Sequence, residues 1–329
     1  MTDALAPFGT APDGSPVQIA QIVAGEVTAR VMSWGASLVD FRLGGVPLVL
    51  GCDAFDAYLG PMRYFGAIVG PVANRIAGGR MVLGGQRHDL DRNEAGCTTL
   101  HGGSGGFGTS NWRIAGLTGS SVTLALHRPD ALGGFPGPLE VEARYTLDDG
   151  GALTLDIAAT TDRETVFAPA FHGYWSLDGQ PDLGGHRLTV AAETYLPVDS
   201  AKIPEGAPQP VAGTAFDHRT PRAPAPGLDH NFCLSTERGP LRHACRLEAG
   251  GLRLEVSSTE PGLQIYAGAK IDTAPFPGHG GAPHDPNAGI AIEPQGWPDA
   301  VNRPDFPPVV LRPGQPYRQT SRFAVTRID

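Results

Sequence analysis

Cysteine is scarce in this chain: four residues in 329, Cys52, Cys97, Cys233 and Cys245, with no CxxC spacing. That excludes a disulfide-stapled scaffold and a thiolate zinc site, and it predicts free thiols in a reducing cytoplasm. Runs of Lys and Arg are absent, and 25 basic residues stand against 34 acidic ones, a formal net charge of −9. A nucleic-acid partner and an anionic membrane are disfavoured by that balance. No apolar run approaches a membrane span, and the start (MTDALAPFGTAPDG) has no basic region leading into an apolar stretch, so neither a membrane segment nor a signal peptide is expected. Apolar residues at helical spacing over three turns are hard to find.

What the sequence has instead is alternation. Leu139, Val141, Ala143, Tyr145 and Leu147 alternate with polar or small residues, Asp148-Asp149-Gly150-Gly151 follows, and Leu153, Leu155, Ile157 and Ala159 alternate again. That pattern is a β-hairpin. A second hairpin runs from Cys245 and Leu247 through Ala249-Gly250-Gly251 to Leu252, Leu254 and Val256. Val122, Leu124 and Leu126 mark another strand, and Leu188, Val190 and Ala192 one more. The 45 Gly and 31 Pro are spread among apolar segments, as many turns between short strands require. The expectation is an all-β protein, a large antiparallel β-sandwich, with residues 1–329 forming one domain. Segments 204–210, 221–227 and 275–286 read as long loops on that domain, and no internal repeat is visible.

Four segments carry catalysis-capable side chains beside turn residues: GPVANRIAGGR with Asn74 and Arg75, TTLHGGSGGFG with His101, APAFHGYWSLDG with His172, and GIAIEPQGWPD with Glu293. GLDHNFCL adds Asp229, His230 and Asn231. Ile290–Ala291–Ile292 reads as a short strand that Pro294 stops, because proline has no N–H to donate; Glu293 is then a carboxylate at a rigid strand end. Each candidate has a plainer alternative. Arg75 suits a surface ion pair, His172 a hydrogen-bonded core histidine, and Trp297 core packing as well as a sugar face. His279 and His284 in a Gly/Pro-rich loop lack the companions of a metal site. No GxSxG elbow is present, and GGSGG does not join a strand to a helix, so nucleophilic and phosphate-cradling readings have no support.

Taken together and in order, GPVANRIAGGR, TTLHGG, FHGYWSL, LDHNFCL, TEPGLQIYAG and IEPQGWPDAVNRPDFP resemble the aldose 1-epimerase (galactose mutarotase-like) family, nearly end to end. The resemblance implies a large β-sandwich and cofactor-free interconversion of the α and β anomers of a free monosaccharide. It also implies roles: Glu293 as general base, His172 as general acid, Arg75 and His101 as donors near the ring oxygen and anomeric hydroxyl, and Asp229, with Asn74 nearby, for substrate binding. No metal is implied. The protein is expected in the cytoplasm, as a monomer or homodimer. For a carboxylate base, Glu293 should face a wet cleft with Arg75 or His101 close by, and the imidazole should titrate near neutral pH. Phe171 and Ser176 stand where members commonly carry Asn, which puts the shape of the pocket in question. Three rivals remain: a hexose-6-phosphate 1-epimerase, which needs basic residues converging on a phosphate (Arg63, Arg75, Arg80 or Arg303); a non-catalytic carbohydrate-binding sandwich; and a glycosidase pairing Glu293 with Asp229 or Asp299.

Overall fold

Period-two alternation builds the largest sheet. The computed structural model describes residues 4–225 and 227–328, so Pro226 of the 221–227 loop lies outside the described residues. Eight strands lie in the order Arg113–Leu117, Ser121–Arg128, Leu139–Leu147, Ala152–Thr160, Tyr317–Arg327, Leu252–Ser258, Arg242–Ala249 and Arg187–Val190. Every neighbouring pair is antiparallel. Both hairpins read from the sequence are here. Along Leu139–Leu147 the apolar residues are buried while Glu140, Glu142 and Arg144 are exposed, so one face is core and the other solvent.

A six-stranded antiparallel sheet lies against that core face: Tyr174–Trp175, Ile290–Gln295, Gly262–Tyr266, Asp229–Cys233, Thr194–Tyr195 and Gln209–Pro210. The Trp175 ring stacks on Phe323 of the eight-stranded sheet, centroids 5.3 Å apart, and Phe171 meets the same ring edge-on. A five-stranded meander, Leu5–Thr10, Pro16–Ala24, Val27–Met32, Leu38–Leu43 and Val46–Pro47, adds Ala20, Ile22 and Phe41 to one hydrophobic cluster shared by all three sheets. The α-helical content of the described residues is Phe55–Leu59. Among them no helix is long and apolar enough to cross a membrane. All four cysteines are free thiols.

The six-stranded sheet is covered on both faces, and this positions the site. Ile290 and Ile292 join the main core, while Ala291 and Glu293 face the other way. Pro294 does not stop this strand, contrary to expectation: Ile290–Gln295 continues through it, with Pro294 opposite Leu263. The Pro294 carbonyl accepts from Gln319 Nε2 at 3.1 Å. In a strand a residue's N–H and C=O point to the same side, so the absent N–H faces Gln319, and no bond to the neighbouring strand is lost.

Candidate active site

All six candidate residues line one pocket of about 260 Å³. Glu293, Gln264 and Asp229 come from three adjacent strands of the six-stranded sheet, and Gln264 is the direct cross-strand neighbour of Glu293. His172 precedes Tyr174–Trp175 at the edge of that sheet. Asn74, Arg75 and His101 arrive on a separate two-stranded pair, Arg75–Ile76 with Thr99–Leu100.

His172 Nε2 and Glu293 Oε1 are 3.6 Å apart, with side chains 8% and 2% exposed. Glu293 Oε2 and His172 Nδ1 are buried without hydrogen-bond partners. A carboxylate in a wet cleft with Arg75 or His101 close by was expected; Glu293 does line the pocket with both of them, but its side chain is almost wholly buried. Burial, reinforced by Asp229 and opposed by Arg75, pushes the Glu293 carboxyl well above the usual range. Burial also pulls His172 down to about 4, so the imidazole does not titrate near neutrality as expected. The spacing would suit an ion pair, but desolvation disfavours both charges and so favours a carboxylic acid beside a neutral imidazole over the charged pair.

His101 and Asn74 clasp each other across the turn. The His101 N–H donates to the Asn74 carbonyl at 2.9 Å, and the Asn74 N–H donates to His101 Nδ1 at 3.2 Å. Both residues sit at positive φ, 53° and 60°. Burial, with His172 and Arg75 adding to it, drives the His101 pKa well below its ordinary value, so the ring is neutral. Because Nδ1 accepts, the single ring proton lies on Nε2, leaving His101 a donor there. Tyr64 packs on this ring, centroids 4.9 Å apart.

Arg75 does form an ion pair, but inside the site: its Nε and Nη2 donate to both carboxylate oxygens of Glu94, at 2.8 and 2.7 Å. Asp229 accepts from Gln264 Nε2 at 2.7 Å and has Lys202 Nζ 3.8 Å away. The chain contains two lysines, Lys202 and Lys270, and both stand here, since Lys270 lines the same pocket. Glu94, Gln264, Tyr266 and Lys270 were not singled out from the sequence. Gln264 and Tyr266 carried a signal, because in GLQIY they alternate with the core residues Leu263 and Ile265.

Other candidates lie elsewhere. Phe171, expected to bear on the shape of the pocket, points into the core against Tyr145 and Phe323 and does not line it. Trp297 is core, edge-on to Phe306 with its N–H on the Pro261 carbonyl. His230 faces away from Asp229, as alternation requires, and packs against Phe216 with the rings tilted by 41°. Asp299 accepts from the Ala77 N–H at 3.0 Å and does not line the pocket, which removes it as a glycosidase partner for Glu293. Arg80 and Arg303 are likewise outside the lining, while Arg63 stands within it. His279, His284 and Ser176 line a second cavity of about 250 Å³ beneath the 275–286 loop, which does not cover the first. Among the described residues no three His, Cys, Asp or Glu side chains gather as a metal site would require.

Known proteins share both the sequence and the fold. Galactose mutarotase of Mus musculus is 39% identical over 337 residues, covering 96% of each chain. Aldose 1-epimerase of Escherichia coli K12 is 33% identical, covering 95% of this chain and 96% of its own. Among solved structures, the GalM/aldose epimerase homologue from C. elegans superimposes with a TM-score of 0.88 at 28% identity, over 94% of this chain and 99% of that one. Galactose 1-epimerase from Lactobacillus acidophilus NCFM gives 0.84 at 25%, over 99% and 98%. The aldose 1-epimerase family profile matches residues 18–324, nearly the whole span that builds these sheets and this pocket, and the chain therefore belongs to the aldose 1-epimerase family.

Proposed function

We propose that this protein is a mutarotase interconverting the α and β anomers of a free aldose, with Glu293 as base and His172 as acid. The observation that carries the reading is one buried carboxyl–imidazole pair, 3.6 Å apart, on the wall of a pocket that also presents Arg75, His101, Asp229 and Gln264. The relatives named galactose mutarotase and aldose 1-epimerase support the same reaction.

Ring opening needs one proton removed from the anomeric hydroxyl and one delivered to the ring oxygen, and the pair holds one proton in total. With that proton on His172, Glu293 takes the hydroxyl proton as His172 protonates the ring oxygen; the bond from C1 to the ring oxygen breaks and an aldehyde forms. The aldehyde turns about the C1–C2 bond. His172 then removes the proton from the same oxygen, which closes on the other face of C1, and Glu293 returns its proton to the new anomeric oxygen. Atoms and protons balance, and the pair ends as it began. Such positioned groups each contribute about 10²- to 10⁴-fold. His101 Nε2–H and the free N–H groups of Arg75 donate to oxygens that gain charge. Asp229, steadied by Gln264, accepts from ring hydroxyls.

Polarimetry of freshly dissolved α-D-galactose and α-D-glucose tests this. Wild type should speed equilibration of at least one sugar and Glu293→Gln should not; equal rates for the two proteins would sink the assignment. Arg63 and Lys270 line the pocket without a carboxylate partner among the described residues, which gives the hexose-6-phosphate reading its one support. Adding glucose 6-phosphate to the panel decides between them. A purely binding sandwich has no use for the His172–Glu293 pair.

A further inference from the structure

Glu94 belongs to none of the six motifs, yet it is held in place as firmly as the residues that do. Its loop, residues 94–98, is a closed turn: Glu94 and Thr98 exchange backbone hydrogen bonds at 3.3 Å, with Ala95 and Gly96 at positive φ between them. The loop leads directly into Thr99–Leu100, the strand that pairs with Arg75–Ile76 and delivers His101. Just before it, the Asn93 side chain bonds both the N–H and the C=O of Leu100, at 2.8 and 2.9 Å. Glu94 is thereby set beside Arg75. Both its oxygens are taken by the guanidinium, and Oε2 also accepts from Thr98 Oγ1 at 2.7 Å.

Resting on the mutarotase reading, we propose that Glu94 is a positioning residue that acts through Arg75, fixing which N–H groups the guanidinium offers the sugar and masking its charge at the acid–base pair. A guanidinium has five N–H donors in a planar fork, and Glu94 occupies Nε–H and one on Nη2, which leaves three. Fixing one edge of the plane fixes the other. The Arg75 side chain is 13% exposed, and a lone cation so placed would draw protons off its neighbours. Burial raises the Glu94 carboxyl, but the Arg75 and Thr98 bonds outweigh it and hold it below the usual range, so it is ionised at neutral pH.

The fields at the His172–Glu293 pair come from every side of the pocket. Arg75 stands on the two-stranded pair with Glu94 on the turn before Thr99–Leu100, Asp229 on the six-stranded sheet with Lys202 beside it from a loop, and Arg63 and Lys270 elsewhere on the lining. His101 is neutral, and burial keeps Tyr174 and Tyr266 protonated. Removing the Glu94 charge alone therefore leaves Arg75 uncompensated, which lowers the proton affinity of the pair.

The test is the pH profile of kcat/KM for mutarotation in wild type, Glu94→Gln, Thr98→Val and Arg75→Ala, with circular dichroism confirming each fold. Glu94→Gln should lose about tenfold or more in kcat/KM, and both limbs of its profile should move to lower pH by about half a unit, the effect of one charge across a wet pocket. Thr98→Val should give a smaller change in the same direction, and it decides the matter if Glu94→Gln does not fold. In an Arg75→Ala background Glu94→Gln should cost no further kcat/KM, because the donors it positions are gone, while the limb shift, a direct effect of its charge, should persist. Unshifted limbs, or additive losses in the double variant, would overturn the proposal. A wild type with no mutarotase activity would overturn the function itself, a separate result.

Discussion

Removing the His172 imidazole should make the protein less sensitive to acid, because the folded state keeps that ring neutral. The side chain is 8% exposed, and burial sets its folded pKa at about 4 against 6.5 for an exposed ring. The sign follows from which state binds the proton. Between these values the unfolded chain binds it and the folded chain does not, so stability is full above 6.5 and falls as pH drops toward 4. At pH 4.5 the unfolded ring is about 99% protonated and the folded ring about one quarter, a difference worth about 2.5 kcal/mol at 1.36 kcal/mol per unit. Burial also holds His218 and His230 near 4, but both remain in the variant and cancel from the comparison.

The assay is urea denaturation of wild type and His172→Gln at pH 7.5 and 4.5. Wild type should lose about 2.5 kcal/mol more than the variant over that interval. Repeating the pair in a Glu293→Gln background removes the neighbouring proton from the comparison. Parallel losses within about 0.5 kcal/mol, inside the scatter of independent substitutions, would refute the reasoning. So would an NMR titration placing the His172 ring near 6.5.

The partner carboxyl should behave in the opposite sense. Glu293 is raised by burial, so its cost to the fold begins as pH rises past about 4.5 and grows until the folded group ionises. Glu293→Gln should therefore gain in Tm relative to wild type as pH rises from 5 to 8, at about 1.5 °C per kcal/mol for a chain of 329 residues; a gap that does not widen with pH would contradict a buried carboxyl. A third expectation concerns the turn after His101. Gly102 has φ +87°, and a Cβ there would stand 1.9 Å from the Gly70 carbonyl oxygen. Gly102→Ala should cost about 2–4 kcal/mol and displace His101, lowering kcat/KM; a variant that melts with wild type and keeps its activity would show that the turn gives way freely.

How much of this was legible depends on whether the cause is local. The hairpin at 139–160 could be read because alternation and an Asp-Asp-Gly-Gly turn are both local signals, and they win when a sheet has one wet face. The roles of Phe171 and His172 also separate locally: adjacent strand residues point to opposite faces, so with His172 in the pocket Phe171 goes to the core. Glu94 is different. Nothing in NEAGCT marks it, because its partner lies 19 residues back on another strand. The available clue was Arg75 itself, since an arginine in a half-buried turn needs a counter-charge.

The misreading near Glu293 was the strand end: Pro294 does not stop the ladder, because its missing N–H falls on the side with no strand partner, and Glu293, although it lines the pocket with Arg75 and His101, is 2% exposed. The segment GIAIEPQ held the correction. Ile290, Ala291 and Ile292 are apolar on both faces, the pattern of a strand covered on both sides, and Gly289 lets Leu50 and the Trp175 carbonyl approach closely. A carboxyl following such a run is largely buried even where it reaches a pocket. Once it is so buried, its elevated pKa follows from desolvation, while His172 as its neighbour is set by the fold, which places the two groups 3.6 Å apart. Under the proposed mechanism, the burial that disfavours a charge on Glu293 also disfavours one on His172, so a proton passed between the two groups could serve both ends of a sugar ring.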